Sequence, residues 1–210
     1  TIRHASRVTV AHNLGGCTQL PLPGCYSTRS MECGILSQQA VLTVYSRASV
    51  MCGDASSRAA ADQRYGFLKN TLAAPDGGFH SSMGMAEGTP GVDKREYARE
   101  TGQAIQGVVA YYDATGDKDA LALAIKGADW ALRQRSLPNG GFRHTKMDVS
   151  GKIGGWPYLA DTIEMGSAFL ALHRSTGARR WLIAAMAAGH FLAPPFLLPQ
   201  AGGFSPPASP

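Results

Sequence analysis

The chain has 210 residues, enough for one domain with a sizeable core and short for two. Hydrophobic residues make up 44% and charged residues 17%, an ordinary globular balance, and no apolar run reaches the length of a bilayer span. The net charge is +5, but Arg3, Arg7, Lys94, Arg95, Lys126, Arg133, Arg135, Arg179 and Arg180 are scattered, without the basic stripe and interleaved aromatics of a nucleic-acid binder. Neither a nucleic-acid nor a membrane partner is expected.

Residues 1–30 carry no helical stripe and contain Gly15-Gly16, Pro21, Pro23 and Gly24. They read as an irregular segment, with "RVTV" at 7–10 as the best strand signal of the chain. No charged-then-apolar leader follows Thr1. Cys17, Cys25, Cys33 and Cys52 form no C-x-x-C pair. The spacing favours free thiols over a disulfide or a metal site, and with them a reducing compartment, so the expected location is cytoplasmic.

From residue 31 the pattern changes. Val41, Tyr45 and Ala48 begin a helical stripe, "GD" at 53–54 makes a turn, and Ala61, Tyr65, Leu68 and Leu72 continue at helical spacing. "PDGGF" at 75–79 then breaks the helix. The second stretch repeats the plan with Ile105, Val108, Val109 and Tyr112, a turn at "ATGDKD", a stripe of Leu121, Ile125, Ala128 and Leu132, and a break at "LPNGGF". Gly116 suits a left-handed helix end and Asp117 suits the next N-cap. The third has Met165, Phe169 and Leu172, then "STGARRW", then Trp181 or Leu182, Ala185, Ala188 and Leu192, stopped by Pro194-Pro195. The tail 205–210 reads as loose.

Gly-Gly-Phe occurs at 77–79, 140–142 and 202–204, so a unit of roughly 62 residues recurs three times, over residues 34–79, 97–142 and 158–204. Each unit is a helical hairpin followed by a glycine corner. The predicted fold is all-α: an α/α toroid of repeated helical hairpins, of which three would be half of a six-hairpin barrel. A half barrel has two open apolar flanks, to be covered by self-association or by a partner chain.

The strings "ILSQQAVLTVYSRA", "APDGGFHSS", "REYARETGQAIQGVVAYYDATGD", "ADWAL", "GGFRH" and "PYLADTIEMGSAFLALHRSTGARRWL" together resemble one family over residues 31–193. This is the thioredoxin-domain-containing spermatogenesis-associated protein family, whose members join a thioredoxin-like domain to a glycosidase-like six-hairpin toroid. The resemblance implies that toroid and a sugar-related role by analogy of fold. Two features depart from the family: "SSMGMAEG" carries Glu87 alone where an Asp-Ala-Asp type of segment is usual, and residues 1–30 are too few for a thioredoxin domain.

In such a toroid the loops entering the inner helices line the cavity mouth. The first offers His80, Glu87, Glu96, Tyr97, Arg99 and Glu100; the second offers Arg143, His144, Asp148, Trp156, Tyr158, Asp161 and Glu164. Glycoside hydrolysis needs two carboxyls, for which Glu100 and Asp161 are the candidates. Epimerisation next to a carbonyl needs a proton shuttle, for which His144 is the first candidate and His80 the second. Arg99 or Arg143 would hold an oxyanion or hydroxyl, and Trp156, Tyr158 and Glu164 would bind the sugar. Structural roles stand beside these: Glu100 and Asp161 as helix-start acids, both histidines as corner residues, Trp130 and Trp181 as core. No G-x-S-x-G, H-E-x-x-H or P-loop string occurs, so no metal and no cofactor is expected. The competing functions are a sugar-binding, hydrolysing or epimerising portion of a toroid and a non-catalytic helical module that binds a protein. A prenyltransferase or terpene cyclase lacks its zinc set or Asp-rich motif here.

Overall fold

The computed structural model describes residues 33–86, 89–145, 158–198 and 203–204. The expectations for residues 1–30, for the strand "RVTV", for Glu87, Asp148 and Trp156, and for the tail 205–210 lie outside the described residues.

Three helical hairpins carry the fold. The first pairs α1 (Ile35–Cys52) with α2 (Ala55–Phe67), which runs on into a π-helical turn at Leu68–Leu72. The second pairs α3 (Ala98–Thr115) with α4 (Lys118–Gln134), and the third pairs α5 (Leu159–Thr176) with α6 (Arg179–Phe196). The turns follow the expected chemistry. Gly53, Gly116 and Gly177 adopt φ of 59°, 74° and 69°, which an L side chain resists, so each ends its helix. The Asp54 carboxylate accepts from the Ser56 and Ser57 N–H groups, and Asp117 from Asp119 and Ala120. Hairpin 3 lacks that acid; there the Thr176 hydroxyl accepts from the Ala178 N–H at 3.2 Å.

α1 packs on α3 and α3 on α5, so the first helix of each hairpin belongs to one continuous inner layer, while each second helix lies outside its own partner. α3 is buried along most of its length. Gly102 brings it close to α5: a Cβ there would stand 2.7 Å from the carbonyl carbon of Glu164. Met165, Phe169 and Leu172 on α5 are fully buried, and Phe169 stacks on Trp181 at 5.9 Å between centroids.

Outer helix α4 differs from its expected stripe. Ala120, Ala124, Gly127, Ala128 and Ala131 are its buried small residues, beside Trp130, whereas Leu121, Ile125 and Leu132 are only partly covered. Gly127 explains the choice, because Phe79 of the first corner packs against it and a Cβ there would meet the phenyl ring at 3.0 Å. α6 also runs one residue past Pro194-Pro195, so the prolines fall in its last turn instead of preceding its end.

The glycine corners are one device used repeatedly. In the first, the Gly77 N–H donates to the Ala74 carbonyl and the Ala74 N–H to Gly78; in the second, Gly140 donates to Leu137 and Leu137 to Gly141. Pro at the second turn position and a positive-φ glycine at the fourth, 114° at Gly77 and 93° at Gly140, make a type I turn with a glycine bulge. Phe79 and Phe142 close the turns by bridging to Ala73 and Ser136. Each corner leans on the outer helix of the next hairpin. A Cβ on Gly78 would stand 2.8 Å from the Trp130 indole, and one on Gly141 2.5 Å from the Phe191 ring. Phe204 of the third corner pairs with Leu197 in the same way, through the short strands Leu197–Leu198 and Gly203–Phe204.

One element departs from the all-α expectation. Between hairpins 1 and 2, β2 (His80–Ala86) and β3 (Thr89–Glu96) form an antiparallel ribbon, extended by the two-residue β1 (Cys33–Gly34). The register runs from Ala86 opposite Thr89 to His80 opposite Glu96, with an irregularity between His80 and Ser82.

Candidate functional site

The start of α5 is the most heavily bonded point among the described residues. Asp161, the third residue of that helix, has no exposed surface. Its carboxylate accepts the Arg99 backbone N–H at 2.9 Å, and both of its oxygens lie 3.0 Å from His144 Nδ1. His144 follows the second corner by two residues, and its carbonyl accepts the Ala98 N–H at 3.2 Å. The starts of α3 and α5 and the end of the corner are therefore tied together. First-turn N–H groups have no partner within their own helix, and here a carboxylate from the next hairpin satisfies one of them.

Burial pushes the Asp161 carboxyl above its ordinary range, while the His144 hydrogen bond and charge and the Arg99 N–H pull it back. An ionised Asp161 accepts from Nδ1–H, which fixes the neutral imidazole with Nε2 as its free acceptor. The ring is also held from its faces. Tyr97 stacks on it at 4.3 Å between centroids and 17° between planes, and Tyr158 meets it edge-on at 5.0 Å.

Arg99 and Glu100 make a second pair beside the first. Arg99 Nη2 donates to Glu100 Oε1 at 2.6 Å, and this bond raises the guanidinium above its ordinary value. Glu100 Oε2 is buried and accepts no hydrogen bond among the described residues. Glu100 and Asp161 are both the third residues of their helices, so the structure places each as a first-turn acid. One turn further along α5, Glu164 accepts from Gln103 Nε2 at 3.3 Å and Gln106 Nε2 at 2.8 Å, linking α5 to α3.

Of the residues singled out in the sequence, the structure brings His144, Asp161, Arg99, Glu100 and Tyr158 into one neighbourhood at the ends of α3 and α5. Glu164 lies one turn beyond. Arg143 turns away, with its guanidinium 3.5 Å from the Ser136 carbonyl at the base of the corner. His80 sits on β2 with Nδ1 3.7 Å from Glu96, a partner on the same ribbon. Trp130 and Trp181 are buried core. Tyr97, a loop candidate in the sequence, gains the role of stacking partner. A signal for it was available: Tyr97 and Tyr158 both occupy the N-cap of an inner helix, so this tyrosine is itself a repeated feature.

Among the described residues no cluster of His, Cys, Asp or Glu could hold a metal ion, and no helix is long and apolar enough to cross a membrane. Cys52 is a free, exposed thiol. A shallow cleft of about 390 Å³ lies on the outer side between the second corner and α6, lined by Leu132, Asn139 and His190 among others; His144 and Asp161 do not line it.

No family model matches the chain, and no curated protein does, so the family resemblance stands on the quoted strings alone. Solved structures do match. A sugar epimerase from a ruminal bacterium superposes with a TM-score of 0.73 at 19% identity, over 98% of this chain and 58% of that one. Cellobiose 2-epimerase from Spirochaeta thermophila gives 0.70 at 21%, over 97% and 57%. The unsaturated glucuronyl hydrolase of Bacillus sp. GL1, responsible for degrading glycosaminoglycan, gives 0.72 at 15%, over 95% and 57%. These are six-hairpin glycosidase-like enzymes, and the fold of this chain is an α/α toroid portion of that kind. The chain spans under two thirds of the length of each.

Proposed function

We propose that this chain is a portion of a carbohydrate-processing α/α toroid, with His144 as its proton-transferring group. The observation that carries the reading is the imidazole held through Nδ1 by a buried carboxylate and from its face by Tyr97, so that Nε2 is left to act on a ligand. Abstraction of a proton next to a sugar carbonyl, as in epimerisation or isomerisation, suits this arrangement better than glycoside hydrolysis. Hydrolysis would need Asp161 as a free carboxyl facing the substrate, and Asp161 is fully buried with its oxygens engaged. In this reading Asp161 positions His144, while Arg99, Glu100 and the half-exposed Tyr158 ring supply hydroxyl and stacking contacts. Similar structures that include two sugar epimerases support the substrate class.

A screen of mono- and disaccharides tests it by calorimetry. Binding is expected for the folded chain and weakened in Glu100→Gln and Asp161→Asn. No binding to any sugar by a chain shown to be folded overturns the reading. The exposed apolar residues of α1 and α5 favour a second reading, a helical interaction module without chemistry; it is supported if partners bind and sugars do not.

A further inference from the structure

Phe79 and Phe142, the aromatic ends of the first two corners, are 0% and 2% exposed because each enters the next hairpin; Phe204, at the same place in the third, is 54% exposed. Gly203 likewise has nothing within 4 Å of a built Cβ, where Gly78 and Gly141 press on Trp130 and Phe191. The inner helices repeat the contrast. Val109 is the twelfth residue of α3 and 2% exposed beside α5, while Leu170, the twelfth of α5, is 44% exposed. Ile163, at the place of Gly102, is exposed too. The forward face of hairpin 3 is thus built like the covered forward face of hairpin 2 and left bare.

The opposite end shows the complementary face. On α3 the tenth residue is Gly107, against which α1 rests through Gln39; on α5 the tenth is Ala168, fully buried. The tenth residue of α1 is Val44, 64% exposed, in a row with Leu36 and Met51. A forward face without a follower and a backward face without a predecessor therefore stand on one chain.

We infer that the occupant of each is a second copy of this chain. Six hairpins close an α/α ring, so successive hairpins turn by a sixth of a circle and three turn by half. A two-fold axis along the ring centre then sets the forward face of each copy against the backward face of the other, using the same hairpin-to-hairpin packing that already occurs twice within the chain. Two copies also carry the helices of one whole ring, as the 57–58% spans indicate. The new junction differs from the internal ones in one respect. α2 has Arg64 where α4 has Gly127 and α6 has Ala188, so Phe204 there meets a guanidinium plane, a cation–π contact, instead of a small residue.

Sedimentation velocity on the 210-residue chain tests this across concentration, with Leu170→Glu and Val44→Lys as variants. Both sites are exposed, and unchanged thermal melts confirm folding. The expected result is a closed dimer of twice the chain mass, weakened about tenfold or more by either variant. Mixing the two variants should restore a dimer, because one junction is then wild type and the other pairs Lys with Glu. A monomer at all concentrations overturns the inference. So do open-ended oligomers, or a dimer that Leu170→Glu disrupts and Val44→Lys leaves intact, since that would join two forward faces.

Discussion

The first and second corners have the same turn and different surroundings. Both use a proline, a positive-φ glycine and a buried phenylalanine, and both lean on the outer helix of the following hairpin. After the first, the chain enters a β-ribbon, and His80 faces Glu96 across it at 3.7 Å. After the second, His144 lies against a buried Asp161 and between two tyrosines. The repeat supplies the frame, and the departures from it hold the groups able to do chemistry.

The largest test of this difference is catalytic. His144→Ala should lower sugar turnover by about 10²–10⁴-fold, and His80→Ala by less than about threefold. Measured kcat for both variants on one sugar decides it, and equal losses would erase the distinction between the corners.

Next comes the shared frame. Gly140→Ala places a Cβ 2.5 Å from the Ala187 carbonyl oxygen at a φ of 93°, so it should destabilise by about 2–4 kcal/mol. Gly203→Ala meets open space and should stay within about 0.5 kcal/mol. Urea midpoints compare them. A smaller effect isolates the lock of the first corner: Asp76 Oδ2 accepts from Trp130 Nε1 at 2.9 Å, so Trp130→Phe should cost about 1 kcal/mol beyond the packing change.

The smallest effects have opposite signs in the two regions. Burial raises the Asp161 carboxyl, so the native state holds its proton more tightly than the unfolded chain does. Its contribution is complete below the unfolded value of about 3.9 and is lost as pH rises through the native one. Asp93, on the ribbon after the first corner, is lowered to about 2 chiefly by its hydrogen bond from Arg95. Its contribution is present above about 3.9 and lost as pH falls toward 2. Urea midpoints across the acid range should show Asp161→Asn removing a fall with rising pH and Asp93→Asn removing a fall with falling pH.

Much of the frame was legible because it repeats. Gly116 and Asp117 announced a turn that forms with the expected cap, and three Gly-Gly-Phe strings announced corners. The β-ribbon was not legible: "HSSMGMA" and "TPGVDKRE" hold one β-branched aliphatic residue, Val92, and its pairing comes from being joined end to end between two fixed helices. The stripe on α4 was misjudged because Leu and Ile outweigh Ala and Gly in a hydrophobic pattern, while close approach and the entry of Phe79 select the small residues. At the site, Asp161 and Glu100 were visible as equivalent acids. That one is buried under a histidine and the other bonded to Arg99 depends on which hairpin lies alongside, and single-chain periodicity does not carry that.

The most direct measurement follows hydrogen exchange at the carbon next to the carbonyl of an aldose in D₂O, by NMR, with the folded chain and its His144→Ala and His80→Ala variants. Deuterium should enter with the wild type and His80→Ala and stop with His144→Ala. Exchange no faster than buffer for every sugar, or equal exchange with His144→Ala, would contradict the assignment of His144 as the proton-transferring group.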